Sequence, residues 1–222
     1  MIASRYLLLA LLPLFAGCQS LPWGDDAAPP LATERLQGQI TRIDGQLQLQ
    51  TCRGQRQLQL LDPSASGFTE DAHLLLAGGA ERLFGDLRGE LVSAPGSNDR
   101  LNVSRVYRLQ AEGHGCAEPG FHDLLLRASG NEPGWSVRVS GQGMLLERVD
   151  QPARALPYLE EQLPGGQASF SSEADRQRIE LWVAPQYCVD SASGAISHLS
   201  AELRIDGQTY KGCAYYGGAR ND

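Results

Sequence analysis

Apolar and polar residues alternate with period two along much of this chain, and the alternation breaks at Asp-Gly pairs. Leu36-Gln-Gly-Gln-Ile40-Thr-Arg-Ile43 runs into Asp44-Gly45 and resumes as Gln46-Leu47-Gln48-Leu49-Gln50. A period of two places one apolar face on a half-buried strand, and Asp-Gly between two such runs is a two-residue hairpin turn. Arg56–Leu61, Asp86–Val92 and Leu101–Leu109 continue the pattern. His73-Leu-Leu-Leu-Ala77 fits a buried strand or a short helix equally well, because so short an apolar run has no readable period. About five short strands in so few residues predict a small closed barrel over 35–116. Further along, Phe121–Ser129, Trp135–Ser140, Met144–Val149, Arg178–Val183 and Leu199–Ile205 read as strands, and Asp206-Gly207 turns the last into Gln208–Tyr210. The expected class is all-β: two small antiparallel β domains, an OB-like barrel over 35–116 and a β-sandwich or barrel over 117–218. A short tail, 219–222, follows.

The N-terminus has a different composition. Arg5 precedes an apolar run, Tyr6–Phe15, which ends in Ala16-Gly17 before Cys18. A basic start, a short apolar stretch and small residues describe a secretory signal over 1–17, too short for a permanent span. Phe-Ala-Gly-Cys resembles the lipobox of bacterial lipoproteins, which implies that Cys18 is acylated and becomes the mature N-terminus. The Pro-rich stretch over 18–34, with Asp25-Asp26, reads as an extended tether. The residue after Cys18 is Gln19 rather than Asp, which by the lipoprotein sorting rule implies the outer membrane, facing the periplasm.

Charge narrows the partners. The chain carries 26 Asp+Glu against 19 Lys+Arg, a net −7, and loss of Arg5 with the leader makes it −8. Such a balance argues against binding the nucleic-acid backbone, and the barrel strands lack interleaved basic and aromatic residues. It also offers no polybasic attraction to anionic lipid, so membrane attachment is expected through acyl chains alone. Lys211 is the only lysine.

Cys52, Cys116, Cys188 and Cys213 remain after Cys18. An even number in an exported chain reads as disulfides, with three possible pairings. Proximity along the chain and the domain division favour Cys52–Cys116 and Cys188–Cys213. Loops of these sizes contribute about 3–4 kcal/mol each in the chain-entropy model.

Two family resemblances follow. Thr51-Cys52-Arg-Gly after the first hairpin, with the late strand ending near Cys116, resembles the OB-like domain of NlpE-like envelope lipoproteins of the copper-homeostasis and adhesion-sensing type. Gly130-Asn-Glu-Pro-Gly-Trp135, Cys188-Val-Asp190-Ser-Ala-Ser-Gly194 and Asp206-Gly-Gln-Thr-Tyr-Lys-Gly-Cys213-Ala together resemble an uncharacterised family of bacterial envelope lipoprotein domains. That family travels beside META-type or lysozyme-inhibitor-like domains, which implies an envelope role without assigning an activity.

Three sets of residues have the types that chemistry needs. His114, Cys116, Glu118 and His122 offer soft ligands at short spacing, so His114 and His122 are the metal candidates, although Cys116 is expected in a disulfide. Glu132 and Trp135 pair a carboxylate with an indole, as many sugar sites do. The stronger expectation places Trp135 in the core beside Cys188–Cys213 and Glu132 in the turn. Asp190, Ser191, Ser193 and His198 supply the types for nucleophilic catalysis, but no Gly-x-Ser-x-Gly elbow accompanies them, and Asp190–Gly194 reads as a side-chain-capped turn. Tyr215-Tyr216 ends the chain either as a binding patch or as the closing strand. The expectation is an outer-membrane lipoprotein with no catalytic residues and no cofactor. It would serve as a binding or sensing module in envelope maintenance, meeting a basic protein or a cell-wall component. The alternative is a copper- or zinc-handling lipoprotein.

Overall fold

The computed structural model describes residues 33–93, 99–174 and 176–220. The expected leader, Cys18 and most of the tether lie outside the described residues. The fold is all-β, with a closed five-stranded OB-like barrel followed by a long antiparallel meander.

The barrel is formed by β1 (Thr33–Ile43), β2 (Gln46–Thr51), β3 (Gln57–Leu61), β4 (Leu83–Val92) and β5 (Arg100–Gln110). Pairing runs β3-β2-β1-β4-β5, and β3 meets β5 in parallel to close the ring; every other contact is antiparallel. The alternation seen in the sequence is the inside–outside alternation of these strands. Ile40, Leu47, Leu49, Leu58, Leu60, Leu87, Leu101, Val103 and Leu109 all point into one core. His73–Ala77 belongs to a helix, α1 (Phe68–Ala77), between β3 and β4. Its buried Phe68, Ala72 and Leu76 recur every four residues, so one helical face rests on the barrel core while Leu74 faces solvent.

The second core is enclosed by β6 (Leu124–Asn131), β7 (Gly134–Ser140), β8 (Gly143–Arg148), β9 (Gln151–Leu156), β10 (Leu159–Leu163), β11 (Gln167–Ala174), β12 (Gln177–Val189), β13 (Ile196–Ile205) and β14 (Gln208–Tyr216). Their spatial order is β9-β8-β7-β6-β14-β13-β12-β11-β10, antiparallel throughout. The first of two junctions with the barrel is a short ladder, Ile196 opposite Leu109 and Ser197 opposite Arg108, which carries Ile196 into the barrel core. The described residues accordingly form one compact unit with two hydrophobic cores.

The second junction is polar. Arg35 on β1 makes a bidentate pair with Asp86 on β4, both bonds 2.8 Å, and also donates to the carbonyls of Tyr216, Gly217 and Arg220. Arg108 lies between the rings of Phe84 and Tyr215 and pairs with Glu118 at 2.6 Å, both side chains being buried. The Tyr215 hydroxyl donates to the same carboxylate at 2.6 Å. Buried ion pairs of this kind are costly to break, because the surviving partner is left charged and dry.

Candidate functional site

The disulfides Cys52–Cys116 and Cys188–Cys213 form as the spacing favoured, with Cα separations of 5.4 and 5.6 Å. Cys188–Cys213 clips the end of β12 to β14 across β13 and lies on the outer face of that sheet. There the sheet forms a groove of about 720 Å³.

Strand register builds the groove. Ser169, Trp182, Glu202 and Lys211 stand in one cross-strand row over β11, β12, β13 and β14. The next row is Ala184, Ser200 and Cys213, whose small side chains leave a depression beside the indole. Leu181 and Val183, flanking Trp182, point into the core, so strand alternation forces Trp182 outward. Arg204 lies over the indole at 5.3 Å and pairs with Glu202 at 2.6 Å. The indole N–H of Trp182 is shielded and has no hydrogen-bond partner among the described residues. Lys211 makes no ion pair among them either. A bulge in β12 sets the far wall: Gln186 and Tyr187 together oppose His198 alone. The Tyr187 hydroxyl donates to Asp71 of α1 at 2.9 Å, and burial followed by the Asp71 carboxylate pushes that phenol up to about 12.

The end wall is the Asp190 turn. One carboxylate oxygen accepts from the backbone N–H groups of Ala192 and Ser193 and from the Ser193 hydroxyl, while the other accepts from Asn131 at 2.9 Å. Burial would raise this carboxyl, but the Ser193, Asn131 and Ala192 hydrogen bonds outweigh it and hold Asp190 below the usual range. Asp190 is thus occupied as a turn cap. His198, the other half of the catalytic reading, packs between Tyr107 and Tyr216 and donates from Nδ1 to the Tyr107 carbonyl at 2.9 Å. Burial drives its imidazole down to about 4, so it is neutral across the physiological range. Asp190, Ser191, Ser193 and His198 therefore form no nucleophilic set.

The remaining sequence candidates disperse. Trp135 is buried at 4 % exposure and lies flat on Gly130 and Gly212, where an added Cβ would meet its ring at 2.5 and 2.9 Å. A sugar-stacking role for Trp135 is excluded by that burial. Glu132 is exposed in the β6–β7 turn, as expected, and its side chain makes no hydrogen bond among the described residues. His114 is exposed beside the 3-10 turn Gly115–Ala117, and His122 receives a hydrogen bond from Arg53. Cys116 is oxidised, and no group of three or more His, Cys, Asp or Glu side chains among the described residues is placed to hold a metal ion. Tyr215 and Tyr216 end β14 inside the fold, Tyr215 on Glu118 and Tyr216 in the second core.

Sequence reasoning named the strand Arg178–Val183 without singling out Trp182. Its signal was present: a tryptophan at the polar phase of an alternating run points to solvent. Comparison with family models, with curated proteins and with solved structures returns no match for this chain. The fold and the groove therefore define only a class: a disulfide-braced all-β protein with an OB-like barrel and an open, two-signed groove on the outer face of β11 to β14.

Proposed function

We propose that this protein is a lipid-anchored envelope lipoprotein, tethered through Cys18 to the outer membrane, that binds a cell-wall component without catalysing its turnover. The observation that carries the reading is the groove. It combines an outward indole, a floor of small side chains, an ammonium at Lys211 with no ion pair among the described residues, and the Glu202 carboxylate. Cell-wall fragments carry the complementary chemistry: flat sugar faces that stack on an indole, and a stem peptide with free carboxylate and amine groups. A cavity of about 720 Å³ accommodates a ligand of drug-like or disaccharide–peptide size. Rigid anchoring supports the role, since the disulfide and the Asp190 turn hold the walls before any ligand arrives.

Titration of the purified protein with a soluble disaccharide–peptide muropeptide, followed by tryptophan fluorescence, tests the site. Saturable quenching is expected, lost in Trp182→Ala and weakened roughly tenfold in Lys211→Ala, with melting temperatures little changed. No saturable change in the wild type, or an unchanged response in Trp182→Ala, overturns the assignment. Intact-mass spectrometry of the native product tests the anchor: a diacylglyceryl group on Cys18 is expected, and an unprocessed leader removes the lipoprotein reading.

A further inference from the structure

We propose a second, separate ligand site on the outer face of the barrel, a phosphomonoester site formed by Arg88 and Arg105. Strand register places Arg35, Arg88 and Arg105 directly opposite one another across β1, β4 and β5. Like charges facing each other across a sheet destabilise it, and an acidic chain has ample carboxylate to relieve them. Arg35 is relieved by Asp86. The other two are not: neither guanidinium has a hydrogen bond or ion pair among the described residues, and the Nε of Arg88 is shut from water with no acceptor. Asp86, two residues before Arg88, is already taken by Arg35 and by a 2.9 Å hydrogen bond from Gln37. Glu90, two residues after it, pairs with neither arginine.

The backbone is arranged around this pair. In β5, Ser104 and Tyr107 are each the extra residue of a β-bulge, one on either side of the Arg105 segment. Bulges re-aim side chains, and here both guanidiniums converge on the ring of Tyr107, at 5.8 and 5.9 Å from its centroid. Tyr107 itself is fully buried and fixed by Arg35 stacked on it at 3.9 Å and by His198 at its edge. Two arginines resting on one immobile ring are preorganised donors. Guanidinium forks bind phosphate oxygens in pairs, and two unrelieved positive charges match the dianionic form of a phosphomonoester. That chemistry is shared by a soluble phosphate and by a lipid phosphate headgroup.

The full chain titrated with inorganic phosphate at constant ionic strength, against chloride, tests the site by the NMR signals of the arginine Nε–H groups. Saturable shifts of Arg88 and Arg105 are expected, with Arg42 unmoved. Arg88→Gln and Arg105→Gln should each weaken binding roughly tenfold or more, while Arg→Lys at either position restores part of it. A second arm measures retention on phosphatidylcholine vesicles with and without phosphatidic acid, as the difference between the wild type and the double Gln variant. Arginine-dependent retention on the acidic vesicles supports a lipid headgroup, and its absence alongside phosphate-induced shifts supports a soluble phosphate. No saturable shift at Arg88 and Arg105, or equal shifts in the Gln variants, overturns the proposal whatever happens at the groove.

Discussion

Acidification should destabilise this protein through a single buried imidazole before its carboxylates titrate. His198 is lowered from its ordinary value of 6.5 to about 4, first by burial and then by the positive field of Arg35 and Arg105, opposed by the Tyr107 carbonyl and by Asp86. The unfolded chain takes up a proton near pH 6.5 and the folded protein does not until about pH 4. Stability from this residue is therefore complete above pH 6.5 and declines as the pH falls toward 4. The full span is worth about 3 kcal/mol, of which about 2 kcal/mol is gone by about pH 5. For a body of this size that corresponds to a fall of about 4–8 °C in Tm. His198→Phe keeps an aromatic ring between Tyr107 and Tyr216 and removes the titration. It also forfeits the hydrogen bond to the Tyr107 carbonyl, so its baseline stability drops by about 1 kcal/mol. The informative quantity is consequently the slope, measured by denaturation at a series of values from about pH 7.5 to pH 5. The wild type should lose about 2 kcal/mol more than the variant over that interval. His73, His114 and His122 are common to both proteins and cancel. Parallel curves, or an NMR titration of His198 near 6.5, would refute the argument that burial holds this ring neutral.

Two further outcomes test the packing. Glu118→Gln leaves Arg108 buried without its 2.6 Å partner and should cost about 3–5 kcal/mol by urea denaturation, whereas a cost below about 1 kcal/mol would show that water reaches the pair. Burial alone would raise the Glu118 carboxyl, but Arg108, the Tyr215 hydroxyl and Arg127 hold it below its usual value, so its contribution is present above the usual carboxylate range and lost below it. Gly212→Ala drives a Cβ to 2.0 Å from the Ser129 carbonyl and 2.9 Å from Trp135, and should cost about 1–3 kcal/mol or more with an altered near-UV tryptophan signal. Gly141→Ala, which meets nothing within 4 Å, is the matched control and should be close to neutral.

Legibility from sequence followed how locally each feature is encoded. The Asp44-Gly45 and Asp206-Gly207 hairpins were readable because strand alternation and turn residues are both local signals, and both turns occur where they were expected. The strands β9, β10 and β11 went unread because their signal is weak. Gln151–Leu156 and Leu159–Leu163 are largely exposed edge segments, and only Ala168 and Phe170 of β11 enter the core. The helix at Phe68–Ala77 was undecidable locally, since its run of leucines suits either state until the barrel end selects the face carrying Phe68, Ala72 and Leu76.

By itself the sequence determined the all-β class, the inward residues of the main strands and the favoured cysteine partners, because period, turn type and spacing are properties of neighbouring residues. Tertiary structure alone decided which polar residues meet. The row Ser169–Trp182–Glu202–Lys211 runs across four successive strands, and the row Arg35–Arg88–Arg105 joins β1 to the later pair β4 and β5. Their register is fixed only when both cores pack and the bulges at Ser104, Tyr107 and Gln186–Tyr187 choose which side chains face outward together.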